Sequence, residues 1–362
     1  MTTDQLHTGE SMKTRYTFTL LAALVLLLAP SAWAQSVDAT TEVGTDKRAQ
    51  TGMKFLSLSN DARASAMGGA ATAETAGSSV ALFYNPAAMA RMEQDFHVNL
   101  GVTQFITDIN YNVASVAYKP AGNNGVLGLS FVSVDYGDFI GTVRADNEAG
   151  YIETGDYSPS AMAIGLGYAR SFSDKFSAGL HVKYAFQDLG SHEISRQEDN
   201  AAAFNFDDYS VNTLALDFGI LYNTGFRSLV IAMSTRNFSR ELTYVRERLE
   251  LPLAFQIGLR MNMLDFTSMD ASQHKLSLAV DAQRPRDFDE HLKMGLEYSF
   301  QDMFFLRGGH SQPFVDGEEE GISFGAGFQV GMGGNMNIGV DYAYTDFGLF
   351  GNLNRFSLQL GF

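Results

Sequence analysis

Apolar and polar residues alternate along most of the chain from about residue 95 to residue 362. In the stretch HLKMGLEYSF (291–300), the even positions carry Leu, Met, Leu, Tyr and Phe, and the odd positions carry His, Lys, Gly, Glu and Ser. Successive side chains of a β-strand point to opposite faces, so this pattern predicts strands with one apolar and one polar face. The same alternation recurs at 175–187, 253–263, 335–345 and 354–362.

We predict about fourteen such strands, most of about eleven residues, which is long for a soluble domain and suits a tilted membrane-crossing strand. Their polar faces carry Gly, Gln, Lys, Arg and Asp along the whole length, as expected for a wet lumen. The sequence therefore predicts an all-β fold, a transmembrane antiparallel β-barrel. The predicted strands lie near 96–106, 109–119, 124–136, 157–171, 175–188, 209–222, 226–238, 251–263, 273–284, 290–300, 302–311, 319–331, 335–345 and 353–362.

The connections between these strands alternate in length, with one exception at each end of the barrel. Short turns are predicted at 120–124, 173–175, 223–225, 301–302 and 332–335, while 264–273 is longer. Long connections are predicted at 137–156, 189–208, 239–250 and 312–318, while the one near 107–108 is short. Bacterial barrels have short periplasmic turns and long outer loops, whereas a soluble β-sandwich needs no such alternation.

Aromatic residues recur toward the ends of the predicted strands, which is typical of the two girdles at the membrane interfaces. They are Tyr118, Phe131, Tyr168, Tyr184, Tyr222, Tyr298 and Tyr344.

The N-terminal part is organised differently. Residues 1–34 predict a secretory signal peptide, with a basic start, an apolar run and a small-residue cleavage site at Ala32-Trp33-Ala34, and Met12 is a possible true start. Residues 35–52 predict a flexible leader. Residues 53–94, rich in Ala, Gly and Ser, predict a plug, and 95–362 the barrel. The expected location is the outer membrane, in contact with its lipid.

Composition narrows the possible chemistry. A net charge of −16 argues against nucleic-acid binding, and the absence of cysteine excludes disulfides, zinc-thiolate sites and thiol nucleophiles. No Gly-x-Ser-x-Gly or His-Glu-x-x-His motif occurs, so we expect no enzyme, metal or cofactor. The acidic stretches NFDDY (205–209) and DGEEE (316–320) could hold Ca²⁺, but they lack the spacing of a known site and predict solvated outer loops.

Charged residues on the polar strand faces are candidates for lining the lumen. They could line a pore, or they could neutralise one another inside a filled barrel, and a lumen of fourteen strands needs filling or plugging. We expect the second arrangement, with Asp217 and Asp281 as further partners. The candidate lumen charges are Lys183, Arg260, Lys293, Glu297, Arg307, Asp341 and Arg355.

The plug sequence carries helix signals. Asn85 can cap a helix that begins with Pro86 at its first position. Ser59 or Asn60 can cap a second helix over DARASAM (61–67), which Gly68 and Gly69 can end in a left-handed turn.

The plug segment SNDARASAMGGAATAETAGSSVALFYNPAAMARM (59–92) resembles the N-terminal signature of the PorV/PorQ family and, more distantly, of FadL-type outer-membrane channels. The segments 291–310 and 340–362 also resemble PorV/PorQ proteins. The resemblance implies a FadL-like fourteen-stranded barrel with the N-terminal segment in its lumen. The matching positions are Ala62, Arg63, Met67, Gly68, Gly69, Tyr84, Asn85, Pro86 and Ala87.

The resemblance also implies a function in or beside the type IX secretion system of Bacteroidota-like bacteria. The first hypothesis is a non-enzymatic PorV-like barrel that docks the translocon barrel and the C-terminal domains of secreted cargo. The second is a FadL-like channel for hydrophobic small molecules. The third is a structural or adhesive surface barrel.

Overall fold

The computed structural model describes residues 51–362 apart from 60, 75–76, 107–108, 123, 194–205, 245–246, 314–320 and 334–335. At residues 191–193, 206–208 and 247 it describes the backbone only. The predicted signal peptide, nearly all of the leader and the DGEEE stretch lie outside the described residues. At the end of the leader, Thr51 forms a parallel bridge with Glu250.

The described residues contain eighteen strands, numbered here in chain order. Their bounds are β1 (Phe96–Gln104), β2 (Asn110–Tyr118), β3 (Val126–Asp135), β4 (Phe139–Arg144), β5 (Tyr151–Tyr157), β6 (Ser160–Ser171), β7 (Phe176–Glu193), β8 (Phe206–Asn223), β9 (Val230–Ser239), β10 (Leu242–Tyr244), β11 (Glu247–Leu249), β12 (Ala254–Asn262), β13 (His274–Pro285), β14 (His291–Phe300), β15 (Phe304–His310), β16 (Ile322–Gly331), β17 (Asn337–Asp346) and β18 (Asn352–Gly361).

Fourteen of these described strands close into one antiparallel barrel. Consecutive barrel strands pair with each other, including β3 with β6 and β9 with β12 across the two intervening hairpins. Strand β1 pairs with β18 in the register Val98↔Leu360 to complete the ring. The other four strands form two separate hairpins, β4–β5 and β10–β11. The predicted fold class and strand number are therefore confirmed.

Side chains alternate between the two faces of the wall as the sequence predicts. Along β6, Ala161 and Ala163 are buried, whereas Met162, Ile164 and Leu166 are exposed on the outside. The apolar face thus points outward and the small or polar face inward, the arrangement of a barrel in lipid. None of the helices in the described ranges is both long and apolar enough to cross a membrane.

We call the end with the short connections the turn end and the opposite end the loop end. Exposed aromatic residues line the turn end, where Phe96 stacks on Tyr118 with 4.5 Å between ring centroids and on Phe362 with 5.4 Å. Tyr168 and Tyr222 lie near this end as predicted, whereas Phe131 and Tyr184 lie in the middle of β3 and β7. The girdle prediction is therefore wrong for these two residues, because alternation places them on the outer face but does not fix their height.

The predicted outer loops contain regular structure that the sequence did not reveal. The hairpin β4–β5 occupies much of 137–156, and β10–β11 lies within 239–250. Strands β7 and β8 run on into the predicted loop 189–208 because they continue to pair with each other, with a register shift after Asp188. At the turn end, the long connection 264–273 begins with a 3₁₀ helix, Met263–Phe266.

Candidate functional site: the plugged lumen

The described residues of the predicted plug, 53–94, contain four short helices. These are the 3₁₀ helices Lys54–Ser57, Ser79–Phe83 and Pro86–Arg91, and the α-helix α1 (Ala62–Ala66). Most of their side chains are buried against the inner face of the barrel, with Phe55, Leu82 and Met89 at most 1% exposed. Small wall residues make this close approach possible, since Ala62 and Ala66 pack directly on Ala343.

Helix α1 is capped by Asp61, whose carboxylate accepts a hydrogen bond of 2.9 Å from the Ala64 N–H. The predicted cap at Ser59 or Asn60 is therefore wrong. The Ser59 hydroxyl instead pairs with the Tyr84 hydroxyl at 2.7 Å, which ties α1 to the second half of the plug. All of Ser, Asn and Asp can cap a helix, so the sequence alone does not choose among neighbouring candidates.

Gly68 and Gly69 end α1 with φ values of +62° and +78°, the left-handed turn that the sequence predicts. Gly68 is required for a second reason. A Cβ at this position would lie 2.5 Å from the backbone nitrogen of His310, at the end of β15. The turn therefore brings plug backbone into direct contact with wall backbone.

Asn85 caps the helix Pro86–Arg91 by accepting a hydrogen bond of 3.1 Å from the Ala87 N–H. Its amide also donates to the carbonyl of Thr72 at 2.9 Å and to that of Ile220 on β8 at 3.1 Å. Asn85 is only 1% exposed, and its bonds to Ala87 and Thr72 are shielded from water. One residue thus starts the helix, joins the two halves of the plug and fixes them to the wall.

A buried ionic network links α1 to four strands of the wall, β12, β14, β15 and β17. Arg63 donates to Glu297 through Nε at 2.7 Å and through Nη2 at 2.8 Å. Glu297 also accepts from Arg307 Nε at 2.7 Å, and Arg307 Nη1 donates to Asp341 at 2.5 Å. Arg260 lies 3.9 Å from Glu297. Four of the candidate lumen charges therefore meet in one network, with Arg63 of the plug as an additional member.

Lys183 belongs to a second network on the other side of the barrel. Its Nζ lies 2.8 Å from Asp217 Oδ2, and Asp217 Oδ1 accepts from the Asn237 N–H at 2.7 Å. Asn237 adopts φ +61° at a bulge between β8 and β9, which turns this N–H toward the lumen. The remaining candidates, Lys293 and Arg355, lie beside cavities near the loop end.

The second network contains a Ser–His–Asp chain that sequence reasoning missed. The Ser130 hydroxyl lies 2.9 Å from His181 Nε2, and His181 Nδ1 lies 3.1 Å from Asp217 Oδ2. These connections have the order found in serine hydrolases. However, all three residues are at most 3% exposed, and Lys183 shares the same carboxylate oxygen. The residues come from β3, β7 and β8, so no local motif could have indicated them.

Two further contacts attach Thr72 of the plug to the wall. Asp281 on β13 accepts from the Thr72 N–H at 2.8 Å, and the Thr72 hydroxyl donates to Gln256 on β12 at 3.0 Å. Between the plug and the β16–β18 wall, a cavity of about 150 Å³ is lined by Arg63, Glu74 and Gln359 among others. Among the residues that the structure describes, no group of three or more His, Asp or Glu side chains is arranged to hold a metal ion.

The barrel is similar in fold to solved transporter and channel structures. The Ralstonia pickettii toluene transporter TbuX matches with a TM-score of 0.55 at 12% identity, covering 83% of this chain and 96% of that one. A Pseudomonas aeruginosa FadL homologue matches with a TM-score of 0.51 at 12% identity over 84% and 98% of the two chains. The monoaromatic hydrocarbon channel CymD gives 0.53 at 12% identity over 83% and 96%. At this identity the likeness shows a shared fold and nothing more.

Comparison with curated protein sequences gave no match. The profile of a protein family does match, over residues 78–361, and its description is type IX secretion system membrane protein PorP/SprF. This match supports the predicted link to type IX secretion, while the narrower PorV/PorQ assignment stays a prediction. The matched region begins within the plug and includes every strand of the barrel. The chain therefore belongs to the PorP/SprF family of type IX secretion system membrane proteins.

Proposed function

We propose that the protein is a non-enzymatic outer-membrane barrel that docks partner proteins in or beside the type IX secretion system, as PorV-type proteins do. Its partners would be the translocon barrel and the C-terminal domains of secreted cargo. A signal peptide at residues 1–34 would direct its export. The plug occupies the lumen through buried hydrogen bonds and ion pairs, which favours binding at the outer surfaces over transport through the lumen.

The observation that carries this proposal is the apolar surface of the β4–β5 hairpin. This hairpin forms its own two-stranded sheet beyond the ends of β3 and β6, at the loop end. Four large apolar side chains are exposed on it, and because neighbouring residues of a strand point to opposite faces, each strand contributes one to each face of the hairpin. We take these exposed groups as the contact site for a protein partner. They are Phe139 (45% exposed), Ile140 (63%), Tyr151 (47%) and Ile152 (41%).

Replacing both Ile140 and Ile152 with aspartate is expected to lower the recovery of secretion-system partners at least tenfold. Two carboxylates placed in an apolar contact would have to lose their water without gaining a partner. Tagged barrel would be purified in mild detergent, and the copurified proteins quantified by mass spectrometry.

The matched control is Thr142→Asp, which adds a carboxylate at an exposed position of the same hairpin. It should leave partner recovery unchanged. Equal recovery with the wild type and the double variant would show that this hairpin is not the docking surface. Heat-modifiable migration on a gel would show that each variant has folded into a barrel.

The non-enzymatic part of the proposal predicts that Ser130 does not react as a hydrolase nucleophile. The Ser130 side chain is buried, and its neighbour His181 packs against the β6 backbone at Gly165, which leaves no room for a substrate. A fluorophosphonate probe should therefore not label the folded protein. Labelling that disappears in Ser130→Ala would contradict the proposal and identify a hydrolase.

One observation favours the second candidate, a FadL-like channel for hydrophobic small molecules. Strand β15 ends at His310, opposite Met294, whereas β14 begins three residues earlier, at His291. Ser311 and Gln312 then turn into buried positions. Proteoliposomes that take up toluene faster than empty liposomes would support this candidate over docking. A barrel with neither partners nor uptake would support the structural or adhesive alternative.

A further inference from the structure

Two adjoining cavities lie near the loop end, above the glycine turn of the plug. Their volumes are about 110 and 170 Å³. We call them together the loop-side cavity, since they share five lining residues: Ser57, Leu58, Arg236, Lys293 and Ser311.

The lining of the loop-side cavity is basic, although the chain carries a net charge of −16. The described lining of the smaller part contains Arg236, Lys293 and Arg355 and no carboxylate. The larger part adds Lys54 and His291 and a single carboxylate, Asp287. This carboxylate is already engaged, because it accepts hydrogen bonds from Lys54 and from the Thr51 hydroxyl. The charge balance of the cavity therefore favours an anion.

Arg236 carries a donor atom for such an anion. It is only 7% exposed, and it lines both parts of the cavity. Its Nη2 donates to the carbonyl of Leu56 at 3.2 Å, and its guanidinium lies 5.8 Å from the centre of the Tyr84 ring. Its Nε is buried and has no hydrogen-bond partner. A buried cation with an unused donor is costly unless an anion or another acceptor reaches it.

The remaining walls are apolar, which limits the kind of anion. Leu58, Phe347 and Leu353 line the smaller part, and Pro252, Pro285 and Phe288 line the larger. A strongly hydrated inorganic anion would gain nothing from these surfaces, whereas a carboxylate attached to a short carbon chain would bury apolar area against them. The guanidinium of arginine also matches the planar geometry of a carboxylate.

We propose that the loop-side cavity binds the carboxylate of a small organic ligand, with Arg236 as its main contact and Lys293 as its second cation. The carboxylate could belong to a free short-chain acid or to the C-terminus of a peptide. Gln283 Oε1, a cavity-lining acceptor without a partner, could receive the N–H of a peptide bond next to such a terminus. The inference does not rest on the docking function, because binding is measured on the purified barrel alone.

The test is calorimetric titration of the detergent-purified full chain with butyrate and, in a second arm, with N-acetyl-dialanine acid. Saturable binding in either arm is expected, and the arm with the higher affinity identifies the source of the carboxylate. Butyramide and the dialanine amide, which have the same shape without the charge, should bind at least tenfold more weakly. Arg236→Gln should weaken the binding of the acid at least tenfold.

Arg284→Gln is the matched control, since Arg284 is a largely exposed arginine at the loop end that pairs with Glu290. It should leave the affinity unchanged. Lys293→Gln provides a second cavity variant if Arg236→Gln fails to fold, and heat-modifiable migration decides that question. The proposal is overturned if neither acid binds, if the amides bind as well as the acids, or if the folded cavity variants bind as tightly as the wild type.

Discussion

Replacing Glu297 with alanine is expected to release the plug from the wall. The change leaves Arg63 and Arg307 without the carboxylate that joins them. Water cannot readily replace it, because the side chain of Arg307 is 2% exposed and that of Arg63 is 18% exposed. Breaking a buried ion pair by removing one partner typically costs about 3–5 kcal/mol. We expect the free energy of unfolding to fall by about this amount, and single-channel conductance in a planar bilayer to rise as the lumen opens.

Two further variants separate charge from packing. Glu297→Gln keeps the shape and an acceptor oxygen, so it should give an intermediate effect. Lys275→Ala removes the exposed pair with Asp302, and because exposed ion pairs contribute little, both unfolding and conductance should stay near wild type. A Glu297→Ala barrel with wild-type stability and conductance would show that this network does not hold the plug.

Replacing Gly179 with alanine is expected to prevent the helix Pro86–Arg91 from seating. A Cβ at position 179 would lie 2.5 Å from the carbonyl carbon of Pro86 and 2.6 Å from the nitrogen of Ala87. These are backbone atoms of a helix whose cap, Asn85, is bonded to the wall, so they cannot move aside alone. Overpacking of this kind costs roughly 1–3 kcal/mol. The expected result is lower stability together with faster protease cleavage within the plug.

The matched control for Gly179→Ala is Gly339→Ala, at a buried position on β17. There the nearest atom to an added Cβ is 3.7 Å away, an ordinary contact. Both substitutions add one methyl group to a strand, so they share any change in backbone preference. If the two variants have the same stability and the same cleavage rate, close packing of the plug on β7 is not what keeps it in the lumen.

The two networks show how far the sequence leads and where it stops. Alternation placed Lys183, Glu297 and Arg307 on the inner face. It did not show that Glu297 lies directly opposite Arg307, because that register depends on the turn between β14 and β15. Gln301 and Asp302 both adopt positive φ there, and the turn is one residue longer than the sequence suggested. A shift of one residue in a turn changes every cross-strand pair of its hairpin.

By itself, the sequence determined the barrel, its fourteen strands and the helix start at Asn85, since these depend on side-chain periods and caps that operate over a few neighbouring residues. The tertiary structure alone decided which distant residues meet. Arg63 and Glu297 are 234 positions apart, and Ser130 and His181 are 51 apart on different strands. The cavity around Arg236 and the β4–β5 hairpin were likewise decided by barrel closure and plug insertion. Contacts of this kind depend on the three-dimensional path of the whole chain, which no local pattern of residues encodes.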